Sequence, residues 1–218
     1  HGASLLVPVN KEKNHLTEAN FYPIYSPSNL TLSAESYSHD GKLVSNHGTV
    51  ATLNSPSDRV TVLNLSELGI DADAVRLMVD GERLPARVKM ALDIGKDLPS
   101  NICVNLHPFN PQLDAKTHCF RWAPLMADSE RYALWIMNSA PHRSYQREAR
   151  LKLTFYRETD EETIERQLVL PPHGSIRITP DQELKQFFEG KPGWCTVVGD
   201  NPFVTTYYFV ETPPGSFG

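Results

Sequence analysis

Apolar and polar positions alternate with a period of two through most of the chain. Leu151, Leu153 and Phe155 alternate with Lys152 and Thr154, Ile176 and Ile178 flank Arg177, and Val60 and Val62 flank Thr61. A period of two places apolar residues on one face of a half-buried strand. Turn-forming clusters separate such runs: His39-Asp40-Gly41-Lys42, Asp80-Gly81, Pro171-Pro172-His173-Gly174 and Gly199-Asp200-Asn201-Pro202. Short strands at this spacing, with 12 Gly and 17 Pro, predict a mainly β antiparallel sandwich or barrel with little helix. Helix is expected only over Pro180–Glu189, with Thr179 capping and Pro180 in the first position, and in a single turn at Ser66–Gly69.

The order of these elements repeats. In the first half LLVPV (5–9), FYPIYS (21–26), LTLSAESYS (30–38), a turn, a second strand to Leu53, RVTVLNL (59–65) and SEL (66–68) lead to a hairpin of AVRLMV (74–79) and LPARVKMAL (84–92). The second half gives RWAPL (121–125), RYALWIMNS (131–139), LKLTFYRE (151–158), IERQLVL (164–170), GSIRIT (174–179) and QEL (182–184). It closes on WCTVV (194–198) and VTTYYFV (204–210). Matched positions stay about 111 to 121 residues apart, as a duplicated unit with loop insertions predicts. The expected organisation is a β-sandwich module over 1–93, a link over 94–112 and a second β-sandwich module over 113–218. The link contains Pro99, Pro108 and Pro111 and one strand, NICVNLH (101–107), and is expected to pack against a module.

The stretch LKLTFYRETDEETIERQLVLPPHGSIRITPDQEL (151–184) resembles immunoglobulin-like and fibronectin-III-like sandwich modules of bacterial proteins: a charged hairpin, a polar strand, a Pro-Pro-Gly-type corner and a short strand. The resemblance implies two tandem sandwiches of that kind. It assigns no function, and the disulfide and buried Trp of antibody domains are not evident.

Composition narrows the function classes. The chain has 218 residues and a net charge of −5, without a concentrated basic stripe, which argues against nucleic acid as a partner. No apolar run approaches the roughly 18 residues of a membrane span, so a membrane-spanning protein is not expected. Cys103, Cys119 and Cys195 form no C-x-x-C pair and read as buried thiols, with Cys119 and Cys195 the pair to inspect for a bridge. The chain begins at His1 without a basic-then-apolar leader, and a secreted or periplasmic setting is the favoured expectation.

Several groups could carry chemistry. The densest positive cluster is Arg143, Arg147, Arg150 and Lys152, with His142 and Tyr145; its forked guanidinium groups suit a carboxylate, an acidic sugar or an acidic partner. Consecutive Tyr207, Tyr208 and Phe209 on one strand point to alternating faces, so at least one ring leaves its module's core or meets a second packed surface, which argues for an interface along the last strand. Arg143, Tyr145, Arg147, Arg150, Tyr207 and Tyr208 are therefore the candidate binding residues. Other rings of the second half, among them Phe120, Trp122, Tyr156 and Trp194, would form a sugar-stacking platform if exposed. Glu158, Asp160, Glu161, Glu162 and Glu165 read as a solvated hairpin tip rather than an acid–base pair. His39 and His173 read as polar surface residues of turns.

His1-Gly2 at the amino terminus of a β-rich chain resembles the lytic polysaccharide monooxygenases. That resemblance implies a copper site at His1, with His39, His47, His107 or His118 as the second ligand. The chain carries no G-x-S-x-G, Gly-rich phosphate loop, H-E-x-x-H or dinucleotide fingerprint, and it points to no cofactor. The expected function is non-catalytic recognition of a carbohydrate or a protein partner; the alternative is an enzyme with a site assembled from distant segments, such as the copper oxidase.

Overall fold

The structure is a computed structural model that describes residues 2–12, 15–85, 88–95, 100–108, 111–116, 118–125, 132–159, 161–212 and 216–217. His1, Pro99 and Asp160 lie outside the described residues. The fold is mainly β, with 56% strand, 8% helix and four antiparallel sheets. The first half runs β1 (Gly2–Pro8), β2 (Leu16–Phe21), β3 (Leu30–Tyr37), β4 (Leu43–Leu53), β5 (Thr61–Asn64), α1 (Leu65–Leu68), β6 (Ala74–Asp80) and β7 (Val88–Gly95). Next come β8 (Ser100–Pro108) and the short α2 (Pro111–Asp114). The second half runs β9 (Cys119–Leu125), β10 (Tyr132–Asn138), β11 (Ala149–Arg157), β12 (Thr163–Leu170), β13 (Ser175–Ile178), α3 (Gln182–Phe188), β14 (Gly193–Gly199), β15 (Val204–Thr212) and β16 (Ser216–Phe217).

The pairing graph of one half repeats in the other. In the first half β1 pairs β6, β6 pairs β3 and β3 pairs β4, while β2 pairs both β5 and β7. In the second, β9 pairs β14, β14 pairs β11 and β11 pairs β12, while β10 pairs both β13 and β15. Both halves also place a short helix between the fifth and sixth strands. An immunoglobulin sandwich puts its first strand in the sheet of the second and fifth, and its last in the sheet of the third and sixth. Here the first, fourth and last strands all change sheets, the fourth pairing the third instead of the fifth, and only the second–fifth and third–sixth pairings are shared. β8 pairs along β7 from Val88 opposite Leu106 to Ile94 opposite Ser100, and it also meets β1 at Ala3 and Ser4. The strand of the link therefore bridges the two sheets of the first half.

Two apolar clusters fill the interior, and they do not divide at the middle of the chain. The second contains Leu134, Ile136, Leu151, Leu153, Phe155, Leu184, Phe188 and Val197, all from the second half. The first contains Leu6, Phe21, Leu32, Leu77 and Leu92 together with Ala133, Trp135, Met137, Tyr207 and Phe209, which belong to β10 and β15. Every residue of β10 is buried. The alternation expected of a half-buried strand thus becomes burial on both faces, and the sheet β13–β10–β15 serves both cores.

Several local expectations change. Val60 and Val62 are 49% and 53% exposed, because β5 pairs Leu63 against the buried Ala19 and so turns the opposite parity inward. FYPIYS ends β2 at Phe21 instead of forming a strand, consistent with Pro23. The helix near 180 is capped by Asp181, whose carboxylate accepts from the Leu184 N–H, so Thr179 and Pro180 precede the cap. Cys103 is exposed. Cys119 lies opposite Gly199 and Cys195 opposite Ala123, so the two thiols sit four residues apart along the register, about 13 Å. That exceeds a disulfide's reach, and both are free.

Hydrogen bonds weld the seam between the halves. The Leu6 N–H donates to Ser139 Oγ at 3.0 Å, Tyr207 Oη donates to the Leu6 carbonyl at 3.2 Å, and Arg76 Nη2 donates to the Pro141 carbonyl at 2.7 Å. Glu35, 3% exposed, accepts from Tyr37 Oη at 2.6 Å and pairs with both Arg76 and Arg143. Burial opposes ionisation of Glu35, but the hydrogen bonds from Tyr37 and Arg143 and the charges of both arginines outweigh it and hold its pKa below the usual value. His173 is only 4% exposed, contrary to a surface turn, and stacks on Tyr37 at 4.3 Å. Gly41, at φ +76°, fits beside it: a Cβ there would meet the Pro172 carbonyl oxygen at 2.2 Å.

Candidate functional site

The four-stranded sheet β12–β11–β14–β9 turns Leu151, Leu153, Phe155, Cys195, Val197, Cys119 and Ala123 into the second core. The remaining parity faces outward. Across it, Phe120 lies opposite Val198, Val198 opposite Lys152 and Lys152 opposite Gln167; in the next row Trp122 lies opposite Thr196, and Thr196 opposite Thr154. Phe120 is 60% exposed, Trp122 57% and Val198 43%. One row further, Tyr156 and Trp194 stack with centroids 5.2 Å apart and planes 11° from parallel. Lys152 pairs with Glu165, and a shallow groove of about 580 Å³ runs over Arg150, Val169 and Val198.

β9 reverses the ordinary use of alternation. Arg121, between the two exposed rings, occupies the core-facing parity with Cys119 and Ala123, and its guanidinium reaches back to the Phe120 and Pro202 carbonyls. Apolar residues on this strand could have faced the core had the register slipped by one. The register is held by Cys195 and Val197 of β14, whose core-side neighbours on β9 are Ala123 and Arg121. The result is an aromatic, apolar patch on an edge strand.

The structure disperses the candidate binding residues. Arg143 leaves its loop to pair with Glu35 in the seam. Tyr145 is buried, and its hydroxyl donates to Asp114 Oδ1 at 2.9 Å; burial and that carboxylate push its pKa up to about 12. Arg147 donates to the carbonyls of Asp114, Lys116 and Asp200, which clamps α2 and the β14–β15 turn. Tyr207 is committed to the first core, and Tyr208 is tilted against Tyr132 on the opposite side of β15. Only Arg150 lies on the outer face just described. The rings of that face, Phe120, Trp122, Tyr156 and Trp194, are legible as part of an aromatic-rich half, but their exposure is not. The signal was the pair Phe120 and Trp122 on one parity of a strand whose other parity, Cys119, Arg121, Ala123 and Leu125, is interrupted by an arginine.

Among the described residues no group of three or more His, Cys, Asp or Glu side chains is placed to hold a metal ion. His47 hydrogen-bonds Ser36 Oγ at 2.5 Å, the His39 side chain is 79% exposed, and His118 is exposed. The side chain of His107 and the whole of His1 fall outside the described residues. Glu158, Glu161 and Glu162 are exposed around the β11–β12 turn, with Glu162 paired to Arg157 and Glu165 to Lys152. No helix among the described residues is long and apolar enough to cross a membrane. Comparison with protein families, with curated proteins and with solved structures finds no match to this chain.

Proposed function

We propose that the chain is a non-catalytic recognition protein of two tandem antiparallel sandwich modules, immunoglobulin/fibronectin-III-like in their second–fifth and third–sixth strand pairings, and that the outer face of β12–β11–β14–β9 takes a protein partner. One observation carries the reading: β9 holds Phe120 and Trp122 in water on the same face while an arginine takes the core-facing position between them. Each such ring offers roughly 150–250 Å² for burial, so covering the exposed parts of both withdraws on the order of 200 Å² from water, about 5 kcal/mol gross. Exposed apolar patches rimmed by polar groups mark interaction surfaces, and aromatic anchors dominate protein interfaces. Arg150, Lys152, Glu165 and Gln167 supply that rim.

The test is affinity capture from the native source with three baits: the wild-type chain, the double variant Phe120→Ser/Trp122→Ser, and a control altered on a distant strand, Val62→Ser. All three substituted positions are exposed, so circular dichroism and melting temperature should match. A partner retained by wild type and control but lost by the double variant supports the reading. Equal retention by the double variant, or nothing retained by wild type, overturns it.

A further inference from the structure

A second site is built at the seam and does not rest on the aromatic face. A cleft of about 450 Å³ lies where Val9–Glu12 leaves β1, with His39, Asp73, Trp135, Ile176 and Arg177 completing its wall. That size falls within the roughly 300–1,000 Å³ of small-molecule pockets. Both halves contribute: Lys11 and Asp73 from the first pair at 3.0 Å, and Arg177 from the second pairs with Glu12 of the first. The Arg177 guanidinium also lies 4.9 Å over the Trp135 ring. The second oxygen of Asp73 accepts from the His39 backbone N–H at 2.8 Å, so the carboxylate is fixed in place.

Asn10 is the telling residue. It is 4% exposed, and its Oδ1 accepts from the Glu12 N–H at 3.1 Å, which fixes the amide plane. Its Nδ2 is buried and finds no hydrogen-bond partner among the described residues. A buried donor left unsatisfied costs about 1–3 kcal/mol, a cost beside the cleft that a ligand acceptor would remove where the Asn10 amide yields to meet it.

The charges select the kind of acceptor. Two cations and two carboxylates pair across the wall, so an ionic ligand would approach a repelling partner beside every attracting one. A hydroxyl group both donates and accepts, and neighbouring hydroxyls can satisfy a carboxylate and a cation together. Val9, Trp135 and Ile176 provide an apolar wall for the carbon side of such a molecule.

We propose that this cleft binds a neutral polyhydroxylated ligand, a single sugar unit held by Asn10, Lys11, Glu12, Asp73 and Arg177. The Asn10 amide and the two cations donate to hydroxyl oxygens, and the two carboxylates accept from hydroxyl hydrogens.

Saturation-transfer NMR and calorimetry on the full chain test it, with glucose, galactose, mannose and N-acetylglucosamine as neutral probes and glucuronate and glucosamine as charged ones. At least one neutral sugar should bind, with affinity reduced about tenfold in Lys11→Met and in Asn10→Ser, as loss of one hydrogen bond to a polar ligand implies. Lys11 is on the surface, so Lys11→Met remains informative should Asn10→Ser unfold. Phe120→Ser/Trp122→Ser should bind the sugar as wild type does, which separates this site from the aromatic face. Absence of transfer to every neutral sugar, binding of the charged probes alone, or unchanged affinity in Lys11→Met overturns the proposal.

Discussion

His173 sits at φ 62° between Pro172 and Gly174, pressed against Tyr37 and 4% exposed. Burial, aided by the Arg76 charge, lowers its pKa from 6.5 to about 4. The unfolded chain therefore binds a proton at this residue that the folded chain refuses between those two values. Its stability contribution is present above pH 6.5 and is lost as pH falls toward 4. Between pH 7 and 4.5 the loss should be on the order of 2 kcal/mol, read from urea unfolding at the two pH values. Glu35 acts in a lower window: with its pKa held below 4.5, its contribution is lost only as pH falls through that lowered value. His173→Asn tolerates the left-handed backbone and does not titrate, so it should flatten the pH 4.5–7 slope. A wild-type protein equally stable at both pH values would contradict this account. Pro171-Pro172-His173-Gly174 reads correctly as a turn, but its burial comes from Tyr37, more than a hundred residues away, which no local pattern encodes.

At the scale of single elements, the type and place of an element are more legible than its cap or its facing. α3 was expected where it lies, yet Asp181 rather than Thr179 caps it, because β13 continues to Ile178 and leaves Asp181 positioned for the Leu184 N–H at 2.9 Å. The same carboxylate pairs with Arg166 of β12 at 2.8 Å, so it joins the helix to the sheet beneath. Asp181→Ala should cost about 1 kcal/mol and lower the melting temperature by about 2–4 °C without altering the strand spectrum. No change in melting temperature would show the helix end to be held by Leu184 and Phe188 packing alone. For β5 and β9 the period-two pattern identifies strands correctly, but which parity faces inward is set by the partner strand: Ala19 for β5, and Cys195 and Val197 for β9. A strand's own sequence cannot report that when both parities offer apolar residues, as Val60, Val62 and Leu63 do.

Across the whole molecule the repeated order of elements was readable, since each half shows the same succession of alternating runs and turns. The double duty of β10 and β15 was only hinted at by three consecutive rings, Tyr207, Tyr208 and Phe209. The strand meets a second packed surface within the same chain: Tyr207 and Phe209 enter the first core, and Phe209 meets Trp135 edge-on at 5.4 Å. A core that borrows Ala133, Trp135, Met137, Tyr207 and Phe209 from the other half couples the two thermodynamically, because unfolding either half uncovers apolar surface on the other. Thermal and urea unfolding should then show one transition, with far-ultraviolet and near-ultraviolet signals coincident. Phe209→Ala removes a fully buried ring at the shared sheet and should cost about 3–5 kcal/mol, and the single transition should shift as a whole. Two resolved transitions, only one of them moved by Phe209→Ala, would mean that the halves stand independently and that the seam is merely a contact.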